Sequence, residues 1–488
     1  MGVPSCADPL KHQQTPIPTQ GVPSNMIAAR RRRIAAGFCV ALAFVAGCFV
    51  VRMAWPEAWR GGWSGYASQS SYAPNDTAVF HLAARRPWGT NTGLLRLEDA
   101  AGRTVRELPG VAVLPAPTVE QPWEDARFPA SVRLPLAGLR PGVYRLNGRI
   151  PLVVRAAPGA SRTLLVVPTH TVAAYSQAGG KSLYVASASW RLQRLLAAPT
   201  MAHLRAWLSA DDGDRARTVG THRPSEREHG AFFDAGLAWI ARTPSPSPWD
   251  SLGYLADDDL DTPGELDGVR TLVIVGHSEY WTRAARRNVE AFVASGGRLL
   301  VLSGNTAWWQ MRRARAPSGN VRLTVVRDWE EDAARHPDVP DSLRTVVWTD
   351  ARLGLPISAT FPASFAHGGF GTNDARFRMR QPSHPLLDGV ALGADSSLHL
   401  VSRELDGVPD TASATDRVLA LLPATHFGQP AFGAFVVRSS VGGRGAVVHL
   451  GSTDVFGAHG VGGPDSTAWR RIVLNALAWL RTPTETER

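Results

Sequence analysis

The sequence predicts an α/β fold: an open, mostly parallel sheet with helices on both faces, preceded by a small all-β sandwich. Three observations carry this. TLVIVGHSEYW at 271–281 and RLLVLSGNTAWW at 298–309 each read as a buried strand that stops at a glycine and then presents polar side chains. One helical stretch separates them, and strand–helix–strand units pair in parallel. Between Gly65 and about Ala157, short alternating runs such as TAVFHLAA, SVRLPL and GVYRLNG are broken by turn residues, the grammar of an antiparallel sandwich.

The remaining elements follow in order. TLLVVPT from Thr163 is another continuous apolar strand, and residues 229–242 have apolar positions at helical spacing. In the helix from about Arg283 to Ser295, Ala285, Val289, Phe292 and Val293 form one apolar face. Thr282 can cap its start and Gly296-Gly297 end it. Later strands are expected at 345–349, 417–422, 433–438 and 445–450, and a last helix at 468–481. The polar, proline-punctuated stretch 310–410 reads as excursions over the strand ends. The expected divisions are a polar N-terminus (1–29), an export or anchor segment (30–52), the sandwich (65–157) and the α/β domain (162–482).

A chain of 488 residues has room for two or three cores. Its net charge of +10 suggests nucleic acid at first sight, but Lys11 and Lys181 are the only lysines and the arginines are scattered. No basic patch interleaved with aromatics emerges, so nucleic acid is not expected as a partner. Cys6, Cys39 and Cys48 all precede the folded body, which excludes a disulfide framework or cysteine-held zinc there. Arg30–Arg33 abut Ile34–Val51, a run without charge and about long enough to cross a bilayer. The positive-inside rule places the body outside the cytoplasm. Val45-Ala46-Gly47-Cys48 equally fits a lipoprotein signal with Cys48 lipidated. Either way the expected location is membrane-tethered and extracytoplasmic.

Ligands of parallel sheets bind beyond the carboxyl ends of the strands, where His277, Glu279 and Asn305 fall. Residues two apart at a strand end project to one side, so His277 and Glu279 would share a cavity and could ligate a metal or divide acid–base work. The blander alternative has His277 bonding a loop and Glu279 capping the next helix. Asn305 could stabilise an oxyanion, or simply turn the chain after Gly304. The loop from Tyr175 to Tyr184 adds floor to the same cavity. Its Gly179-Gly180-Lys181-Ser182 is no phosphate loop, because Tyr175 stands where GxxxxGKS needs glycine. GHSEY fails the GxSxG pattern at Tyr280. His426, His449, His459 and Asp454 read as structural.

GHSEYW followed by a helix, GG, a strand and SGNTAWW resembles the GHDEYW…GGN..YW signature of the N,N-dimethylformamidase large (beta) subunit family. AYSQAGGKSLY resembles its AYN.WGG.SLY, and Arg403–Gly407 its GYE.DG. The resemblance implies a class I glutamine amidotransferase-like sheet, an immunoglobulin-like module in the sandwich before it, and metal-assisted hydrolysis of an amide-like C–N bond. Iron would be held by two tyrosines and a glutamate. Carried across, the glutamate is Glu279 and one tyrosine Tyr175, with His277 and Asn305 either supporting the ligands from behind or polarising substrate, and Glu404 an added acid–base group. The family often has tyrosine after an RP dipeptide, where this chain has Ser225 after His222-Arg223-Pro224. The second ligand position therefore falls to Tyr184 or His222. Ser278 also replaces the motif's Asp. A small-molecule or polymer substrate is expected. The rival expectation is a non-catalytic protein that binds a surface glycan or polymer on the same fold without the metal.

Overall fold

Runs of Leu, Val and Ile flanked by polar residues fold into a large sheet whose halves obey different rules. The computed structural model describes residues 62–481 apart from 87, 198, 202, 205–213, 225–230, 393–394, 409–415 and 441, together with 47, 48, 50 and 53. The segment 30–52 therefore lies, but for Gly47, Cys48 and Val50, outside the described residues, and among those described no helix is long and apolar enough to cross a membrane. The chain divides into Met1–Trp55 and Pro56–Arg488, and the architecture below is that of the second unit.

The sheet has nine strands: β1 (Thr163–Val167), β2 (Leu252–Ala256), β3 (Thr271–His277), β4 (Arg298–Gly304), β5 (Phe370–Met379), β6 (Ser397–Glu404), β7 (Asp416–His426), β8 (Gln429–Arg438) and β9 (Val447–Leu450). Their spatial order is β2-β1-β3-β4-β9-β8-β7-β5-β6. The pairings from β2 through β9 are parallel. Those from β9 through β6 are antiparallel. The expected α/β fold with a mostly parallel, glutamine amidotransferase-like sheet is thus corrected: the chain is β-rich and its large sheet is mixed. The reason lies in β5 and β6, where FGTNDARFRM exposes most of its polar residues and so reads as loop, yet pairs with β6 on both sides of an irregularity between Phe370 and Asn373. Nor is 345–349 a strand, making only one isolated bridge, Trp309 to Val347.

The parallel half carries a helix on each face. Alternate residues of its strands point to opposite sides. Val273 and Leu300 share a core with Phe233 and Leu237 of α2 (Ala231–Arg242) and Trp469 and Ile472 of α4 (Ser466–Arg481). Leu272, Ile274 and Val301 pack against Val289 and Phe292 of α3 (Arg283–Ala294). Each such side chain removed from water contributes about 1.5–3 kcal/mol. Thr282 caps α3 by accepting from the Ala285 amide at 3.0 Å. A short helix, α1 (Thr169–Tyr175), follows β1 directly.

Ahead of the sheet, Trp63–Ala67, Thr77–Ala84 and Ala130–Pro135 form one antiparallel sheet. Thr104–Leu108, Leu95–Glu98, Gly142–Leu146 and Ile150–Val154 form another. Phe80, Leu82 and Leu134 of the first meet Leu97, Leu146 and Leu152 of the second in one core. This body is sewn to the large sheet: Ser70 Oγ donates to Asp258 at 2.6 Å and Ser71 Oγ to Asp259 at 2.8 Å. Arg155 pairs with Asp259 and Glu265, each at 3.3 Å.

Candidate functional site

From β3 to β6 is six strand steps, roughly 29 Å if the sheet were flat. Yet Glu404 at the end of β6 lies 2.9 Å from His277 at the end of β3. The antiparallel half curls back, and residues 404–407 cross the ends of the parallel strands. Thr453 N donates to the Glu404 carbonyl at 3.1 Å, Asp406 N to that of Gly451 at 3.0 Å, and Ala434 N to that of Asp406 at 2.9 Å. The crossing needs Gly304, where a Cβ would stand 2.3 Å from the Glu404 oxygen and 2.6 Å from the Thr453 nitrogen.

Glu279 is held from both sides by its backbone. Its amide donates to Thr171 Oγ1 at 2.9 Å, and its carbonyl accepts from the Trp309 amide at 3.0 Å. Its side chain, 2 % exposed, receives the Tyr175 hydroxyl at 2.7 Å on Oε2 and the Tyr184 hydroxyl at 2.7 and 2.8 Å on its two oxygens. The tyrosine rings stack at 4.2 Å. Their pairing is fixed from behind by Arg223, whose guanidinium donates to the carbonyls of Ala173, Ser176, Ala178 and Lys181 and so folds the 176–183 loop back on α1. His277 Nε2 stands 3.4 Å from Glu279 Oε2 and bridges it to Glu404. Asn305, with a left-handed φ of 51°, directs Nδ2 to Glu404 at 3.4 Å. Its Oδ1 is buried with no hydrogen-bond partner among the described residues.

All six of the residues singled out in the sequence therefore meet in one place. His222 does not join them: its Nε2 lies 2.9 Å from the Ser68 carbonyl and its ring stacks on Tyr66 at 4.9 Å. Of the two residues left for the second tyrosine position, Tyr184 is the one beside Glu279.

Burial alone would discharge His277, but the carboxylates of Glu404 and Glu279 outweigh it and push its pKa up to about 10. Glu279 is held below the usual carboxylate range despite burial, because His277 and both tyrosine hydroxyls stabilise its charge. Burial, reinforced by Glu279, raises Tyr175 and Tyr184 well above the ordinary phenol value. A second cation sits behind them. Arg327 donates to the Tyr280 hydroxyl at 2.7 Å, and its guanidinium carbon lies 3.9 Å from the Tyr184 ring centroid. Its backbone has φ 74°, a strained setting that clusters at functional sites.

Sequence reasoning missed Arg327, Thr171 and Tyr280. Nothing local marks Arg327, which lies outside every motif. A further polar cluster was signalled only by the acidic run 257–261. There His170 Nε2 meets Asp258 at 2.8 Å, its amide donates to Asp257 at 2.8 Å, and Arg313 reaches Asp258 at 3.1 Å. Among the described residues no group of three or more His, Cys, Asp or Glu is arranged to hold a metal. Tyr175, Tyr184 and Glu279 could instead offer converging oxygens, a hard donor set that fits an oxidised iron.

The profile of the family described as N,N-dimethylformamidase beta subunit-like, C-terminal, matches residues 112–458. The chain belongs to this family. The family is related to dimethylformamidase, a hydrolase. No curated protein matches significantly. Among solved structures, a putative ThuA-like protein from Bacteroides uniformis is 12% identical, with a TM-score of 0.32 over 54% of this chain and 90% of that one. The mmIFT52 N-terminal domain is 14% identical, with a TM-score of 0.27 over 48% of this chain and 85% of that one. At such scores neither bears on the fold described above.

Proposed function

We propose that this member of the dimethylformamidase family hydrolyses an amide C–N bond at the Glu279 cluster. The observation that supports it is the convergence of Tyr175 and Tyr184 on one buried carboxylate, with His277 and Glu404 beside it. Tyr175, Tyr184 and Glu279 would hold the iron; bound there, it would supply Lewis acidity to the amide carbonyl and to water. Glu404, less deeply buried and hydrogen-bonded rather than shared between phenols, takes the proton of the attacking water and returns it to the departing amine nitrogen. His277 donates to the oxygen on which charge develops, and Asn305 orients the amide through its amide group. Arg327 offsets the negative charge gathered around Tyr184. The basic, apolar segment at 30–52 supports tethering of the catalytic body outside the cytoplasm.

Metal analysis of the purified protein, together with amine release from N,N-dimethylformamide and N-methylacetamide, tests this reading. Stoichiometric iron in wild type that disappears in Glu279→Ala, with loss of amine release, is the expected outcome. A protein that never retains metal and releases no amine is instead a binding protein on the same fold.

A further inference from the structure

A ladder of aromatic rings runs from Trp308 to solvent. Trp308, three residues beyond Asn305, meets Phe365 at 5.3 Å, and Phe365 meets His426 at 5.0 Å and Phe370 at 6.1 Å. The outermost rings, Phe370 and Phe427, lie 4.8 Å apart at 32° to one another. They are also the exposed ones, at 42% and 70%. A tip of this kind at the β7–β8 turn is costly to leave in water, and clustered exposed apolar surface marks a place where something binds.

Its position says what binds. Phe370 is paired with Glu404 across β5 and β6. Directly opposed residues of antiparallel strands point to the same face with Cβ atoms roughly 5 Å apart. The exposed aromatic pair therefore begins one side chain away from the carboxylate assigned to proton transfer, on the same side of the sheet. Dimethylformamide-sized molecules would not reach it. Rings presented at a shallow tilt favour a flat partner that stacks in an offset or edge-on manner, and a flexible alkyl chain gains less from such geometry.

We infer that Phe370 and Phe427 form a substrate subsite, and that the amide hydrolysed here carries a six-membered ring close to the scissile C–N bond. The inference rests on the amide-hydrolase reading. The shared chemistry is a set of ring C–H groups offered to an aromatic face, from the edge of an aryl amide or from the apolar face of an N-acylated sugar. Acetanilide and N-acetylglucosamine separate these sources, with N-methylacetamide as the ring-free reference. Wild type is expected to show a kcat/KM about tenfold higher for one of the ring amides than for N-methylacetamide. That ratio should collapse in Phe370→Ala and Phe427→Ala, and persist in Phe432→Ala, an exposed ring further along the same hairpin. A ratio that is the same in all four proteins overturns the subsite and leaves the hydrolase reading standing. If no amide is hydrolysed, that reading falls, and saturation-transfer NMR with acetanilide and N-acetylglucosamine decides the subsite alone. Saturation of the ligand's ring protons that disappears in the Phe370→Ala and Phe427→Ala proteins supports it. No saturation in wild type, or the same saturation in the variants, overturns it.

Discussion

The two halves of the large sheet are built differently and place different chemistry at the site. In the parallel half, β3 and β4 are buried at every position. In the antiparallel half, β5 shows only scattered buried positions and β8 is exposed at its turn end. The first half anchors the converging tyrosine and glutamate oxygens from strands that cannot shift without breaking two cores. The second swings Glu404 across from the opposite edge. On the proposed reading, the oxygens that would hold a metal sit on the stiff half, and the carboxylate that would carry the proton sits on the half with more freedom.

Substitutions on each half test that division. Glu279→Ala should abolish iron retention and amine release together, measured by metal content and turnover. Glu404→Gln should keep the iron and lower kcat by roughly 10²–10⁴, the usual worth of a positioned acid–base group. A Glu404→Gln protein that lost its metal would place Glu404 in the cradle and erase the distinction between the halves. Gly304→Ala inserts a methyl where the crossing strand lies 2.3 Å away. It should cost about 1–3 kcal/mol in denaturant titrations and lower turnover by displacing Glu404. Arg327→Gln should weaken iron binding roughly tenfold in a chelator competition, as loss of an outer partner of a ligand does.

The smallest effect concerns pH. Burial would lower the His170 pKa, but Asp257 and Asp258 outweigh it and raise it above its usual value. Burial likewise raises Asp257, to about 7. Both groups bind a proton more tightly folded than unfolded, so both stabilise at low pH and lose that contribution as pH rises. For Asp257 the loss runs from about 4 to about 7, and for His170 it begins near 6.5 and continues upward. Asp258 is shifted the other way and loses its contribution only in acid, below the ordinary carboxylate range. Thermal melts should therefore fall from pH 6 to 9, and His170→Asn should flatten the upper part of that decline.

What could be read from the sequence follows the same division. TLVIVG and RLLVLSG were legible because a strand buried on both faces reads as a near-continuous apolar run. Glu279, His277 and Asn305 then followed from where those strands stop. Thr282 was legible as a cap because its hydroxyl serves its own helix. Glu404 emerged only through a resemblance, since nothing local says that β6 returns over β3. The strand at 370–379 was hidden by its Asp and Arg residues, which face water, and by a partner that follows only after an irregular connection. Arg327 was hidden because its role depends wholly on which rings surround it.

The serine–aspartate seam bears on how such a chain can be inherited. Ser70 and Ser71 satisfy Asp258 and Asp259, and Asp258 also grips His170, the neighbour of the threonine that holds Glu279. A gene cut between the sandwich and β1 would leave those carboxylates short of their hydroxyl donors, close behind the strand end that carries Glu279. The family match itself begins at residue 112, among the sandwich strands. The sandwich is thus not cargo that shuffling can exchange freely; a replacement module would have to bring its own pair of hydroxyls to the same address.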